Sequence, residues 1–155
     1  MNFQIHALPV EPFAALFSMN DAQLQEHGAV RRTVDASPGY PCRVSLVDAA
    51  IGERVILVHF EHQPANTPYR ASHAIYVREG ATQAQPKARE IPDVLRRRLL
   101  SVRAFDDAGM MLEADVVEGR DLEQSIQRLF SNGRVSYLHL HNAKPGCYAA
   151  RVDRS

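Results

Sequence analysis

Along most of this chain hydrophobic and polar residues alternate, and helical spacing is confined to a few short stretches. Phe3, Ile5 and Ala7 alternate with Gln4 and His6, which predicts a first strand that Pro9 ends. Phe13, Leu16 and Phe17 fit one face of a short helix with Pro12 in its first turn. A second short helix is predicted to start at Asn20 or Asp21, carry Leu24 and stop at Gly28. Residues 29–35 fit an edge strand. Beyond the turn Ser37-Pro38-Gly39-Tyr40-Pro41, a strand is predicted over residues 42–47, with Cys42, Val44 and Leu46 on one face. Residues 55–60 form a β-branched run suited to a strand buried on both faces. These two strands are expected to pair as an antiparallel hairpin. Residues 61–71, which include Pro64 and Pro68, are predicted to be a loop.

The second half continues the pattern. Residues 73–78 read as a strand with His73, Ile75 and Val77 on one side. Residues 80–90 are polar and lack large apolar side chains, so a flexible segment is expected near 79–91. A short helix follows from Pro92 and Asp93 to Arg98. Leu100, Val102 and Ala104 then alternate with Ser101, Arg103 and Phe105 as a strand. Asp106-Asp107-Ala108-Gly109 is a hairpin turn, and residues 110–117 return. Leu122, Ile126, Leu129 and Phe130 form the clearest helical stripe, with Asp121 as the predicted cap. Many short strands joined by hairpins, with few helices, predict an α+β fold. Its mainly antiparallel sheet carries a few short helices packed on it, in a single domain over residues 1–155.

The last predicted hairpin, residues 135–153, holds the densest chemistry. Leu138 and Leu140 share one face of its first strand, so Tyr137, His139 and His141 share the other. Across the turn Ala143-Lys144-Pro145-Gly146 come Cys147, Tyr148 and Arg151. Imidazoles, a thiol, a phenol and a guanidinium are thereby gathered on two adjacent strands.

Composition narrows the classes of partner. Eighteen basic and eighteen acidic residues cancel, so no global field favours nucleic acid or an anionic membrane. The Arg96-Arg97-Arg98 run, taken with Arg103, is offset by Glu90, Asp93, Asp106 and Asp107 and reads as a solvated face. The N-terminal residues lack the basic and apolar regions of a secretory signal, and no apolar run reaches the ~20 residues of a membrane helix. A cytoplasmic location is expected, with Cys42 and Cys147 reduced. No glycine-rich phosphate loop and no nucleophile elbow occurs.

Three stretches resemble one bacterial family. They are G-Y-P-C-R-V-S-L-V-D-A-A-I-G-E-R-V from Gly39 to Val55, Tyr69-Arg70 ahead of H-A-I-Y-V at His73 to Val77, and Y-L-H-L-H-N-A-K-P-G-C-Y-A-A-R-V from Tyr137 to Val152. The chain is similar, in this order and in length, to the single-domain proteins grouped as domain of unknown function 1203. The resemblance carries over no catalytic residue and leaves the cofactor unknown.

Three chemistries compete for these residues. His139 and His141 offer two ligands to a metal, with Cys147, Cys42 or His73 as candidates for the rest, but no Cys-x-x-Cys or His-Glu-x-x-His completes the set, and no metal ligand is assigned. Cys147, beside the close-approach position Gly146, is a candidate nucleophile, with His139 or His141 as base and Asn142 to orient the imidazole. Cross-strand pairing in a tight hairpin would set Cys147 nearer Asn142 than His139. Arg43, Arg70 and Arg151, with Tyr69 and Tyr148, suit an anion pocket.

The reading favoured by sequence is an enzyme acting on a small anionic metabolite. His139, His141 and Cys147 are its catalytic candidates, and Cys42, Arg43, Tyr69, Arg70, His73, Asn142, Tyr148 and Arg151 line its pocket. Alternatives are a non-catalytic binding or sensing module, and a zinc-binding or assembly protein, with a homodimer formed through a strand edge. His27, His59 and His62 have no evident partners at this level.

Overall fold

A computed structural model describes residues 1–155. Eight strands and four short α-helices follow one another, and both sheets are built from antiparallel pairings. The chain divides into two compact units. One comprises Met1–His6, Glu61–His73 and Gln85–Ser155; the other comprises Ala7–Phe60 and Ala74–Ala84. No helix is long and apolar enough to cross a membrane.

The first unit is organised on a five-stranded sheet. Its strands are β1 (Phe3–His6), β5 (Leu99–Phe105), β6 (Met111–Glu118), β7 (Tyr137–Asn142) and β8 (Tyr148–Arg154), in the spatial order β1-β8-β7-β5-β6. Register sorts the two faces. Val102, Leu140 and Ala150 lie in one cross-strand row, and Ala104, Leu138, Val152 and Ile5 lie in the next. All seven are buried, and they form the apolar face. Helix α4 (Leu122–Phe130) contacts β5 and β6 and buries Leu122, Ile126, Leu129 and Phe130. Every fully buried leucine or phenylalanine here contributes about 1.5–3 kcal/mol relative to exposure, which makes this layer the main source of the unit's stability. Asp121 stands at the N-cap of α4 without making the predicted side-chain cap. A 3₁₀ turn over Gly119–Asp121 runs straight into the helix, so the residue lacks the extended backbone that lets a cap side chain fold back.

In the second unit, α1 (Glu11–Ala14) and a 3₁₀ turn (Ala15–Ser18) precede α2 (Asp21–Glu26). Asn20 caps α2 in a reciprocal capping box: its Oδ1 accepts from Gln23 N–H, and Gln23 Oε1 accepts from Asn20 N–H, both at 2.9 Å. Gly28, in the left-handed region at φ 65°, ends this segment. Asn20→Ala is expected to cost about 1 kcal/mol in urea unfolding with the m-value unchanged. A loss below a few tenths of a kcal/mol would show that the box adds nothing in this setting.

Strands β2 (Ala29–Thr33), β3 (Arg54–Gln63) and β4 (Ala71–Arg78) form the second sheet, with β3 central. Here the sequence misled. Residues 42–47 are a compact turn, not a strand, and the partner of β3 in the predicted hairpin is β2, with Val30 opposite Leu57. Cys42 N–H donates to Val47 O and Leu46 N–H to Cys42 O, both at 3.0 Å, while Leu46 takes φ 52°. Arg43 is as buried as its apolar neighbours, which breaks the assumed alternation. Three apolar residues spaced by two suit a tight turn with its side chains inward as well as a strand.

Strand β3 also outlasts its prediction by three residues, shortening the loop expected over 61–71. Glu61–Gln63 therefore stand on strand backbone within the first unit, a placement that matters below. Residues 80–90 carry no helix or strand but are tied by backbone bonds. Ala84 N–H donates to Val44 O in one unit, and Arg89 N–H donates to Phe3 O in the other, at 2.8 and 2.9 Å.

Candidate functional site

The second face of the five-stranded sheet is built in three polar or aromatic rows. Ser101, His141 and Tyr148 make the first; Arg103, His139, Arg151 and His6 the second; Phe105, Tyr137, Asp153 and Gln4 the third. A period of two along each strand, combined with this register, is what turns both histidines the same way. A β-bulge between Leu140 and His141 brings Tyr148 opposite His141.

A third imidazole joins them. His62, on the end of β3, stacks on Tyr148 with ring centroids 5.5 Å apart and meets His141 edge-on at 4.8 Å. Its ring lies 6.1 Å from that of His139. Tyr148, Phe105 and Tyr137 surround His139 at 5.1–5.3 Å, so aromatic walls enclose the cluster. Gln63, the next residue on β3, donates from Nε2 to Tyr137 Oη at 2.9 Å and fixes the segment to the sheet.

His139 and His141 are almost fully buried, and His62 is half-buried. Burial pushes the imidazoles of His139 and His141 down to about 3 and that of His62 to about 4. Nearby cationic groups, Arg103 among them, push the same way. All three rings are neutral at physiological pH, so each presents one bare lone pair. Gly146 O lies 2.9 Å from His141 Nδ1, which assigns the proton to Nδ1 and leaves Nε2 as the acceptor. His141 Nε2, His139 Nδ1 and His62 Nδ1 are buried and have no hydrogen-bond partner.

Arg103 sits in the same row as His139 and is half-buried. Its Nε donates to Ser101 Oγ at 3.2 Å. Desolvation lowers its pKa from the usual guanidinium value, and it has no carboxylate partner. Arg151, in contrast, is engaged. Its Nε and Nη2 hold Asp153 at 2.8–3.0 Å, and the guanidinium lies over the Tyr137 ring at 4.0 Å.

The structure places the remaining sequence candidates as follows. Tyr69 is exposed, edge-on to Phe105 at 6.4 Å, and Arg70 pairs with Glu61 at 2.9 Å on the surface. His73 Nε2 lies near Gly146, 4.0 Å from where a Cβ there would stand. Asn142 and Cys147 are paired with each other, Nδ2 to Sγ at 3.6 Å, and Asn142 lies in the Leu100 row of the apolar face. Cys147 thus stands with Asn142 on the alternation opposite to the histidines. Cys42 and Arg43 belong to the other unit. There Cys42 Sγ accepts from Arg78 N–H and Ser45 N–H at 3.2 and 3.4 Å, and Arg43 Nη1 donates to Pro41 O at 2.6 Å.

Residues 39–154 match a family model described as protein of unknown function (DUF1203). The chain belongs to the DUF1203 family. The matched span contains His62, Arg103, His139 and His141, so the whole polar face between β5 and β8 is part of the family's domain. Comparison with curated proteins and with solved structures returns no match.

Proposed function

We propose that this DUF1203 protein is an enzyme that binds a small anionic metabolite on the polar face of the five-stranded sheet. Arg103 holds the anionic group beside the His62–His139–His141 cluster. One observation carries the reading: a half-buried guanidinium spends a single N–H on Ser101 and has no carboxylate to neutralise it. Burying a charge is expensive unless it is paired, and a planar fork of donors suits a carboxylate or phosphate group. The same row supplies Arg151, but Asp153 already neutralises it, so the specific anchor is Arg103 rather than the arginines conspicuous in the sequence. Neutral imidazoles beside the anchor add no charge repulsion with its guanidinium, and their lone pairs accept protons from the metabolite rather than hold its anionic group.

Thermal-shift titrations with inorganic phosphate and small mono- and dicarboxylic acids test this, with the matching amides as neutral controls. At least one anion is expected to raise Tm saturably, and Arg103→Met to weaken that binding about 10- to 100-fold, the range for losing charge-assisted hydrogen bonds. Arg103→Lys should recover part of it. Absence of any saturable shift across the panel, or equal binding by Arg103→Met, overturns the proposal.

A further inference from the structure

The histidine cluster has a property that anion binding does not use. Three imidazoles from β3 and β7 offer one ring nitrogen each, and these atoms all lie within 4.8 Å of one another. From the geometry we infer that His62, His139 and His141 form a binding site for a divalent transition-metal ion, zinc foremost.

Two independent observations meet here. The first is proximity, since one ring nitrogen from each of three residues on two strands lies within 4.8 Å of the others. The second is polar bookkeeping. His139 Nδ1 and His141 Nε2 belong to residues 3% and 1% exposed and have no hydrogen-bond partner, and His62 Nδ1 likewise has none. A buried polar atom left unpaired costs about 1–3 kcal/mol, so three within one side-chain cluster are a steep penalty unless something pairs with them.

Donor type selects the ion. Nitrogen-only ligands disfavour magnesium and calcium, which take oxygen, and favour zinc and its neighbours. One outer partner is already in place. The backbone carbonyl of Gly146 fixes the His141 tautomer that exposes Nε2, as the outer partners of metal-bound histidines do. In a tetrahedral zinc site with bonds of about 2.0–2.1 Å, ligand nitrogens stand about 3.4 Å apart. The present nitrogens, up to 4.8 Å apart, would draw closer by about 1.4 Å on binding the ion. Three protein ligands leave a fourth position for water or a substrate atom, the coordination of catalytic rather than structural zinc. The sheet supplies no carboxylate to this row, since Asp153, one row away, is held by Arg151 and His6. Glu61, beside His62, is paired with Arg70, so no carboxylate ligates the ion and its charge favours an anionic partner.

Cobalt(II) titration of chelator-treated protein, followed by visible absorption, tests the site with the metal alone. Wild type is expected to bind one equivalent saturably, with the intense d–d bands of low coordination number, and zinc is expected to displace it. His62→Ala, which alters the half-exposed member, should keep the fold by circular dichroism and weaken cobalt binding by about 100-fold or more. His59→Ala, exposed on the same strand, should leave binding unchanged. No saturable uptake by wild type overturns the inference. So does equal uptake by His62→Ala, or a loss with His59→Ala. Arg103→Met, which removes a positive charge facing all three rings, is expected to bind cobalt at least as tightly as wild type when no anion is present, so failure of the anion reading and failure of this one are told apart.

Discussion

Acidification from pH 7 to pH 4 is expected to destabilise the metal-free protein by about 3–6 kcal/mol through His139 and His141 alone. The sign follows from where the protons go. An unfolded histidine titrates near 6.5, whereas burial and the surrounding cations hold both rings down to about 3 in the fold. Between those values the unfolded chain takes up protons that the folded one refuses. Stability is therefore full above about pH 6.5, falls as pH drops toward 3, and levels off below. The cations that face the pair work in the same direction as burial: Arg103 presses on both rings, Arg151 on His139 and His73 on His141; only the Gly146 carbonyl, hydrogen-bonded to His141, opposes them, and His62 is itself held to about 4. A bound metal would steepen the loss, because protons compete for the same lone pairs. Urea unfolding across this range, for wild type and a His139→Phe/His141→Phe variant, measures the effect. The doubly substituted protein should show a much flatter profile; an identical one would mean that the acid sensitivity arises elsewhere.

Gly119→Ala is expected to cost about 3 kcal/mol, the upper end for overpacking. A Cβ at this position would stand 2.0 Å from Leu95 O and 2.6 Å from Arg96 O. Both obstacles are backbone atoms in and around α3 (Asp93–Arg96), so no side chain can swing aside. The glycine is needed for close approach and not for a left-handed backbone. Its own N–H donates to Arg98 O at 2.8 Å, and the exit of β6 is thereby locked against the entry to β5. Displacing that contact would disturb the strand that carries Arg103. Denaturant unfolding of the variant should reveal the loss, and a change under 1 kcal/mol would show that α3 can move outward freely.

Much of this was legible from residue order. The placement of Leu138 and Leu140 against Tyr137, His139 and His141 needed only the strand period, whereas Tyr148 and Arg151, three residues apart, reach the same face only through the register shift at His141, which no alternation predicts. Asn20, Leu24 and Gly28 likewise announced α2 through capping and chain reversal. The failures share a cause. Two prolines shortly after His62 signal a loop, although β3 continues through Gln63. Arg103 was pooled with Arg96-Arg97-Arg98 by proximity in sequence, although its alternation with Val102 and Ala104 already put it on the polar face. What no local pattern contains is the pairing of β5 with β7, since residues 106–136 separate them, and that pairing sets Arg103 beside His139. Cys42 and Arg43 attracted notice by chemistry but serve the turn in which they sit.

The three bare imidazole nitrogens have a bearing on how the protein could be engineered. Filling their places with phenylalanine or leucine would remove desolvated polar atoms from the interior, so a search for heat-resistant variants would converge on these positions first. The most robust descendants of this chain would then be the ones that had lost the proposed metal site. Durability and that proposed site are set against each other at His62, His139 and His141.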